Sequence, residues 1–292
     1  MDIHHQYFRN LSGRGPPLVD PSLPFLCESY DHIRVEQCCG GLLLCSCWNA
    51  LPEGNRYDCV VCNPATEKWS VLPPVELPGL TYYSLGFDAA APSCFVVFVE
   101  MSNVFGETTE MAIYSTETGR WTSMQSNWGT EFRLADFSRI IFLNGIVHLS
   151  SSNMILTVDR EGKACRKIEM PHGMSSIGQS QGHLYAWHID NRNDCRLSLW
   201  VLEDYATGKW ILKLTVDVLG LFGRHCRKPG EYYQLLTVHL ELNLIFLTDM
   251  KGILSYDMAS RNTRVLRTPE EHILGPDVPY IPCFAEWSAD GT

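Results

Sequence analysis

The chain has 292 residues, 45% of them hydrophobic and 19% charged, with a formal charge of −10 and a pI of about 5.4. That apolar content supports a sizeable core, and the acidic balance argues against nucleic acid as the main partner, because a phosphate backbone calls for a concentrated basic surface. No stretch has the ~18 consecutive apolar residues of a membrane helix, and Met1 to His5 lacks the basic and apolar regions of a secretion signal, so a cytoplasmic or nuclear protein is expected.

Short runs rich in Val, Ile, Tyr, Phe and Trp, bounded by Gly, Asn, Asp and Pro, follow one another along the whole chain. This is strand chemistry: β-branched and aromatic side chains fit a pleated surface, and the bounding residues take turn conformations. The runs group in fours, in units of about 33–74, 81–125, 138–171, 174–216 and 231–267. Gly40-Gly41 separates the first two runs of the first unit. Asn144-Gly145 does the same in the third and is the strongest hairpin signal in the chain, since both residues tolerate positive φ.

In each unit the last two runs are joined through a small polar or acidic anchor: Asn63, Ser115, Asp159, Asp204 and Asp257, spaced by 52, 44, 45 and 53 residues. Three residues before each stands an apolar residue (Val60, Ala112, Leu156, Val201, Leu254). Six after stand Trp69, Trp121, Cys165, Trp210 and Thr263. A repeat of roughly 40–50 residues in a strand-rich chain is the signature of propeller blades. The expected fold is therefore all-β, a β-propeller of five four-stranded blades in one domain. The unassigned apolar segments 6–12 and 279–288 are expected to pair as an incomplete sixth blade, because an open ring leaves sheet faces and edges exposed.

Motifs for catalysis or metal binding are weak. Cys59-x-x-Cys62 has zinc-knuckle spacing, yet alternate strand residues face opposite sides, so the two thiols are expected to point apart as small buried groups. The Gly173 to Gly182 segment lacks the Lys-Ser/Thr of a phosphate loop. His148, His183 and His239 fall within predicted strands and read as packed or surface residues. The recurrent Trp69, Trp121 and Trp210 read as fillers between adjacent twisted sheets, with a sugar-stacking platform as the alternative. Neither cofactor nor metal is expected.

The segments Phe8 to Arg14, Asp20 to Leu26, Cys39 to Cys45, Val61-Cys-Asn-Pro-Ala-Thr-Glu-Lys-Trp69, Leu85 to Asp88, Tyr114-Ser-Thr-Glu-Thr-Gly-Arg-Trp121, Phe142 to Gly145, Ile177 to Leu184, Leu199 to Tyr205 and Ser255 to Met258 resemble, in order, the associated propeller domain of plant F-box proteins. The resemblance implies a kelch-like β-propeller, a protein-binding domain and not an enzyme, that selects substrates for an SCF-type ubiquitin ligase. In such proteins a helical F-box docks the Skp adaptor. Here the chain opens inside the propeller region, and Gly13, Gly15, Pro16, Pro17, Pro21 and Pro24 suit no helical bundle, so adaptor binding is not expected of it. A carbohydrate-binding or enzymatic propeller and an inactive gene fragment are the alternatives.

Loops between second and third strands and between units emerge on one face, and loops carry binding because they vary without disturbing the scaffold. The candidate partner-binding residues are therefore Trp48, Asn49, Arg56, Asn103, Phe105, Trp128, Arg133, Asn153, His188, Asp190, Arg192, Arg224, His225, Arg227, Lys228, Asp249 and Lys251. The Arg224-His-Cys-Arg-Lys228 run is basic in an acidic protein. It suits an acidic partner segment or is a solvated loop. The partner itself is an unknown protein substrate.

Overall fold

A computed structural model describes residues 19–20, 22–50, 56–75, 80–87, 95–102, 108–124, 140–151, 153–159, 163–171, 176–239, 241–267, 280 and 282–284. Five antiparallel four-stranded sheets follow one another: β1 (His32–Cys39) to β4 (Lys68–Val71) through β2 (Leu42–Asn49) and β3 (Arg56–Asn63); β5 (Leu80–Phe87), β6 (Phe95–Ser102), β7 (Thr108–Ser115), β8 (Arg120–Met124); β9 (Ile140–Leu143), β10 (Ile146–Ser150), β11 (Met154–Val158), β12 (Ala164–Glu169); β13 (Ser176–Ser180), β14 (His183–Ile189), β15 (Arg196–Asp204), β16 (Lys209–Asp217); and β17 (Gln234–Val238), β18 (Leu244–Thr248), β19 (Ile253–Asp257), β20 (Thr263–Arg267). Each sheet is a simple up-and-down meander. Two single-turn helices, α1 (Pro24–Cys27) and α2 (Val218–Leu221), lie outside the sheets. The strands match the predicted runs but several extend further toward the loop face, where polar residues such as Asn49 and Asp217 continue the ladder.

The anchor of the sequence repeat closes the third-to-fourth-strand turn with its side chain. Asn63 Oδ1 accepts the Ala65 N–H at 3.0 Å, Ser115 Oγ that of Glu117 at 3.2 Å, Asp204 Oδ1 that of Ala206 at 2.7 Å and Asp257 Oδ1 that of Ala259 at 2.8 Å. Asp159 Oδ1 reaches instead to the Lys163 N–H, at 2.8 Å. Short polar side chains do this because they can hydrogen-bond the backbone two residues on. Four residues after Asn63, Ser115, Asp204 and Asp257 the chain turns left-handed, at Glu67, Gly119, Gly208 and Arg261. Asn144-Gly145 forms the expected first-to-second-strand turn with φ of 53° and 76°, and Gly40-Gly41 and Gln181-Gly182 turn in the same way.

Period-two alternation sends the two faces of each sheet into different cores. In blade 1, Leu42, Leu44 and Val61 pack toward blade 2, in a layer that continues to Phe142 and Val147 of blade 3. Leu43, Cys45, Val60 and Cys62 face the other way, against Leu23 and Leu26 of the α1 segment and against Tyr280. Ile168 and Leu184 join blades 3 and 4, and Leu199, Tyr233 and Leu247 join blades 4 and 5. The first strands of successive blades lie side by side, so they form the inner wall. Gln37 on β1 bridges three of them, accepting the Leu85 N–H and donating to the Ile141-preceding carbonyl of Ile140. Gly86 has no room for a side chain, because a Cβ there would stand 2.8 Å from the Phe142 ring.

Cys59 packs toward blade 2 while Cys62 packs on the opposite face, so the two thiols of the C-x-x-C do point apart. Burial pushes the Cys38 and Cys59 thiols up to about 12, which keeps them protonated and poor ligands or nucleophiles.

Two of the repeated tryptophans clamp a blade to the one before. The Trp121 indole N–H donates to the Pro73 carbonyl at 2.9 Å, and that of Trp210 to the Glu169 carbonyl at 2.9 Å. Trp69 meets Tyr30 edge-on. The blade 3–4 seam is reinforced by Arg166, which donates to the Tyr205 and Ala206 carbonyls. Beneath it His148, 1% exposed, donates from Nδ1 to the Ile141 carbonyl, which leaves Nε2 to accept the Tyr205 hydroxyl at 3.3 Å. Burial lowers the His148 pKa from 6.5 to about 4 and raises that of Tyr205 to about 12.

Because His148 is held neutral when folded and takes up a proton more readily when unfolded, its contribution is complete above pH ~6.5 and is lost as pH falls toward about 4. His239, lowered by burial too, adds in the same direction. Denaturant titrations at several pH values should show stability declining from pH ~6.5 downward by on the order of 3 kcal/mol in total. The His148→Gln protein should be less stable at neutral pH but flatter between pH ~6.5 and ~5, above the range where carboxylates titrate. An equal slope in the two proteins would remove His148 from this role.

Candidate interaction face on blades 4 and 5

Antiparallel order puts the tight turns of every blade on one face and the second-to-third-strand loops, with the connections between blades, on the other. On that second face the connection from β16 to β17 runs over residues 218–233, between the loops 190–195 of blade 4 and 249–252 of blade 5. It is fastened to both. Asn191 donates through Nδ2 to the Tyr233 carbonyl at 2.9 Å and accepts the Tyr233 N–H at 2.8 Å, and Arg227 donates to the Asn191 carbonyl. Arg224 pairs with Glu231 of its own segment and with Asp249 of blade 5, the latter at 2.6 Å. Tyr233 is fully buried under the segment against Phe222.

The carboxylates in this region are engaged internally. Glu231 accepts the Lys228 N–H as well as Arg224, and those bonds, the backbone one foremost, hold its carboxyl below the ordinary range. Asp249 Oδ1 takes the N–H groups of Lys251 and Gly252. Asp190 is held low chiefly by the Asn193 side chain and also accepts the N–H groups of Arg192 and Asn193. Asp194 pairs with Arg196.

What remains outward is an open cleft of about 380 Å³ lined by His188, Ile189, Asp190, Asn191, Arg192 and Tyr232. Tyr232 is 54% exposed and Met250, in the neighbouring loop, 45%. His225, Lys228 and Lys251 are exposed around them.

The predicted partner residues thus divide. His188, Asp190 and Arg192 come together in the cleft, with His225, Arg227, Lys228 and Lys251 in the adjoining segments. Arg224, partly exposed, is bonded to the buried Asp249. Trp48 lies on blade 1, stacked on His32 at 5.1 Å and beside Tyr57 at 5.3 Å. Asn49 ties down the entry to β1 by accepting the Asp31 N–H and donating to the Ser29 carbonyl. Asn153 is exposed on blade 3 and its carbonyl accepts the Met170 N–H. Arg56 begins β3, its side chain outside the described residues, as are Asn103, Phe105, Trp128 and Arg133 altogether. Asn191, Tyr232 and Met250 were not anticipated. Nothing in their local sequence marks them, since their positions depend on a pairing between loops 42 residues apart. Among the described residues no group of three or more His, Cys, Asp or Glu side chains is placed to hold a metal ion, and no helix is long and apolar enough to cross a membrane.

The profile described as "F-box associated beta propeller domain" matches residues 10–164, just over half of the chain. Solved structures with a similar fold include a chain of the Mitotic Checkpoint Complex (14% identity, 80% of this chain and 66% of that one, TM-score 0.42). Others are the propeller domain of the Trilobed protease from Pyrococcus furiosus (10%, 81% and 71%, TM-score 0.44) and the WD40 domain of SCAP from fission yeast (11%, 84% and 68%, TM-score 0.40). The chain spans somewhat less than two thirds of the length of the first. No curated protein sequence matches it.

If Arg224 is the tie between the two blades, Arg224→Ala leaves the mostly buried Glu231 and Asp249 carboxylates without their cation. Its melting temperature should fall by about 5 °C or more, whereas Lys228→Ala should leave it within about a degree. Equal melting curves would place Arg224 among the merely solvated cations.

Proposed function

The chain belongs to the F-box-associated beta propeller family, and from that membership we propose that it is the substrate-recognition domain of an SCF-type ubiquitin ligase receptor, a binding protein and not an enzyme. The observation that carries the reading furthest is the fastened loop surface of blades 4 and 5, where exposed aromatic, Met and basic side chains stand on a backbone held by part-buried hydrogen bonds. That composition is the one enriched in protein interfaces, and a surface ordered beforehand loses less entropy on docking. Docking of the Skp adaptor calls for a helical module. In this reading the propeller supplies the substrate-holding part; its two described helices, α1 and α2, are four residues each.

Affinity capture from cell extract under proteasome inhibition, followed by purification of the captured protein and titration against this chain, tests the reading. A saturable protein partner whose level rises with the inhibitor is expected. Retention of glycans alone, or turnover of a small molecule, would overturn it.

The same reading includes a kelch-like ring completed by both ends of the chain. The face of blade 1 that points away from blade 2 is covered by the α1 segment and Tyr280, and the buried Asn63 side chain donates to the Cys283 carbonyl at 2.8 Å. Blade 5 has a matching apolar face of Leu236, Phe246 and Ile253, buried although no described residue of another blade joins that cluster. Residues 279–288, of which only Tyr280 and 282–284 are described, and residues 6–12, which lie outside the described residues, would supply an incomplete sixth blade between the two faces. Deleting residues 276–292 should then lower the melting temperature by ~10 °C or prevent folding, because two apolar faces lose their cover. An unchanged melting curve would show that the ring closes without them.

A further inference from the structure

We infer that the cleft between loops 190–195 and 222–233 is a docking site for an acidic linear peptide bearing an apolar or aromatic side chain, with Arg192 and Lys228 receiving its carboxylates and Tyr232 its apolar group. This rests on the protein-binding reading and specifies the chemistry of the partner.

The local charge runs against that of the molecule. Over the whole chain 33 acidic residues outnumber 23 basic ones, but in segments 188–196, 222–233 and 249–252 six Lys and Arg stand against four carboxylates. All four carboxylates are taken up by the turns and ion pairs that hold the loops. Among the described residues, the Arg192 and Lys228 side chains have no ion pair. The surplus is therefore positive and faces outward, while acidic surface elsewhere repels the same ligand. Such contrast directs an anionic segment to this sector in preference to the rest of the propeller.

An apolar contact is provided in the same place. Tyr232 follows Glu231 and Met250 follows Asp249, so the two bonds of Arg224 bring both exposed side chains into one sector. Tyr232 also lines the cleft with Arg192. A tyrosine beside an arginine in a concave site is the pairing that most often dominates binding energy at protein interfaces. The Asn191 bonds to both backbone groups of Tyr233 fix the direction in which Tyr232 leaves the chain. A basic peptide would meet Arg192, Arg227, Lys228 and Lys251 with like charge, and a nucleic acid would meet the net negative charge of the chain as a whole.

The test is fluorescence anisotropy of the complete chain with a labelled glutamate-rich peptide carrying one central phenylalanine, against the same peptide with lysine for glutamate. Saturable binding of the acidic peptide, weakened by added salt and at least roughly tenfold tighter than the basic one, is expected. Arg192→Ala combined with Lys228→Ala should weaken it about tenfold, and Tyr232→Ala by a similar factor, with melting curves unchanged because all three side chains are exposed. Lys163→Ala, on the tight-turn face, should bind as the unaltered chain does. Equal affinity for the two peptides, or binding indifferent to all three loop substitutions, would overturn the inference. If the partner captured from extract still binds the Arg192, Lys228 and Tyr232 variants, this site falls while the receptor reading stands. If no protein partner is captured at all, the receptor reading falls first.

Discussion

Each sheet of this protein is apolar on both faces, and no single sheet can bury both by itself. Leu42 and Leu43 are adjacent in β2, both are buried, and they belong to different cores. The only arrangement that satisfies such sheets is a series in which every blade is sandwiched between two others, which is why stability here is a sum of seams and not a property of any blade alone. The seams are correspondingly elaborate: a ring-sized gap for Phe142 opposite Gly86, the Gln37 bridge across three inner strands, and the tryptophan clamps on the outer ones.

From that constraint follows the division of labour between the two faces. Tight turns with internally capped anchors leave little side chain free to recognise anything, because Ser115, Asp204 and Asp257 spend their side-chain oxygens on their own turns and Asn63 divides its amide between its turn and the Cys283 carbonyl. The opposite face is built from longer connections, which can be ordered only by contacts with their neighbours. In blades 4 and 5 those contacts come from Asn191 and Arg224. The ordering consumes carboxylates and leaves cations outward, so the electrostatic character of the surface is a by-product of how the loop is held.

The same economy separates a structural arginine from a recognising one. Arg224 and Arg227 are three residues apart in one basic run, yet the first is sunk between two carboxylates and the second lies on a carbonyl. A cation paired in the folded protein has little left to offer a partner, and one that remains solvated retains its field.

The sequence by itself determined the strands, the repeat and the hairpins, because these rest on local chemistry: β-branched and aromatic runs, Asn144-Gly145 with its positive φ, and an anchor whose side chain reaches only two to four residues along the chain. It also determined that Cys59 and Cys62 face apart, since alternation is a property of any strand. Tertiary structure alone decided which loop residues meet. The bond of Asn191 to Tyr233, the burial of Asp249 under Arg224 and the exposure of Tyr232 depend on the angle between two neighbouring blades, which is set by side chains in their shared core and is written in no contiguous stretch. For that reason the basic run was legible as composition, while the identity of its outward-facing members was not.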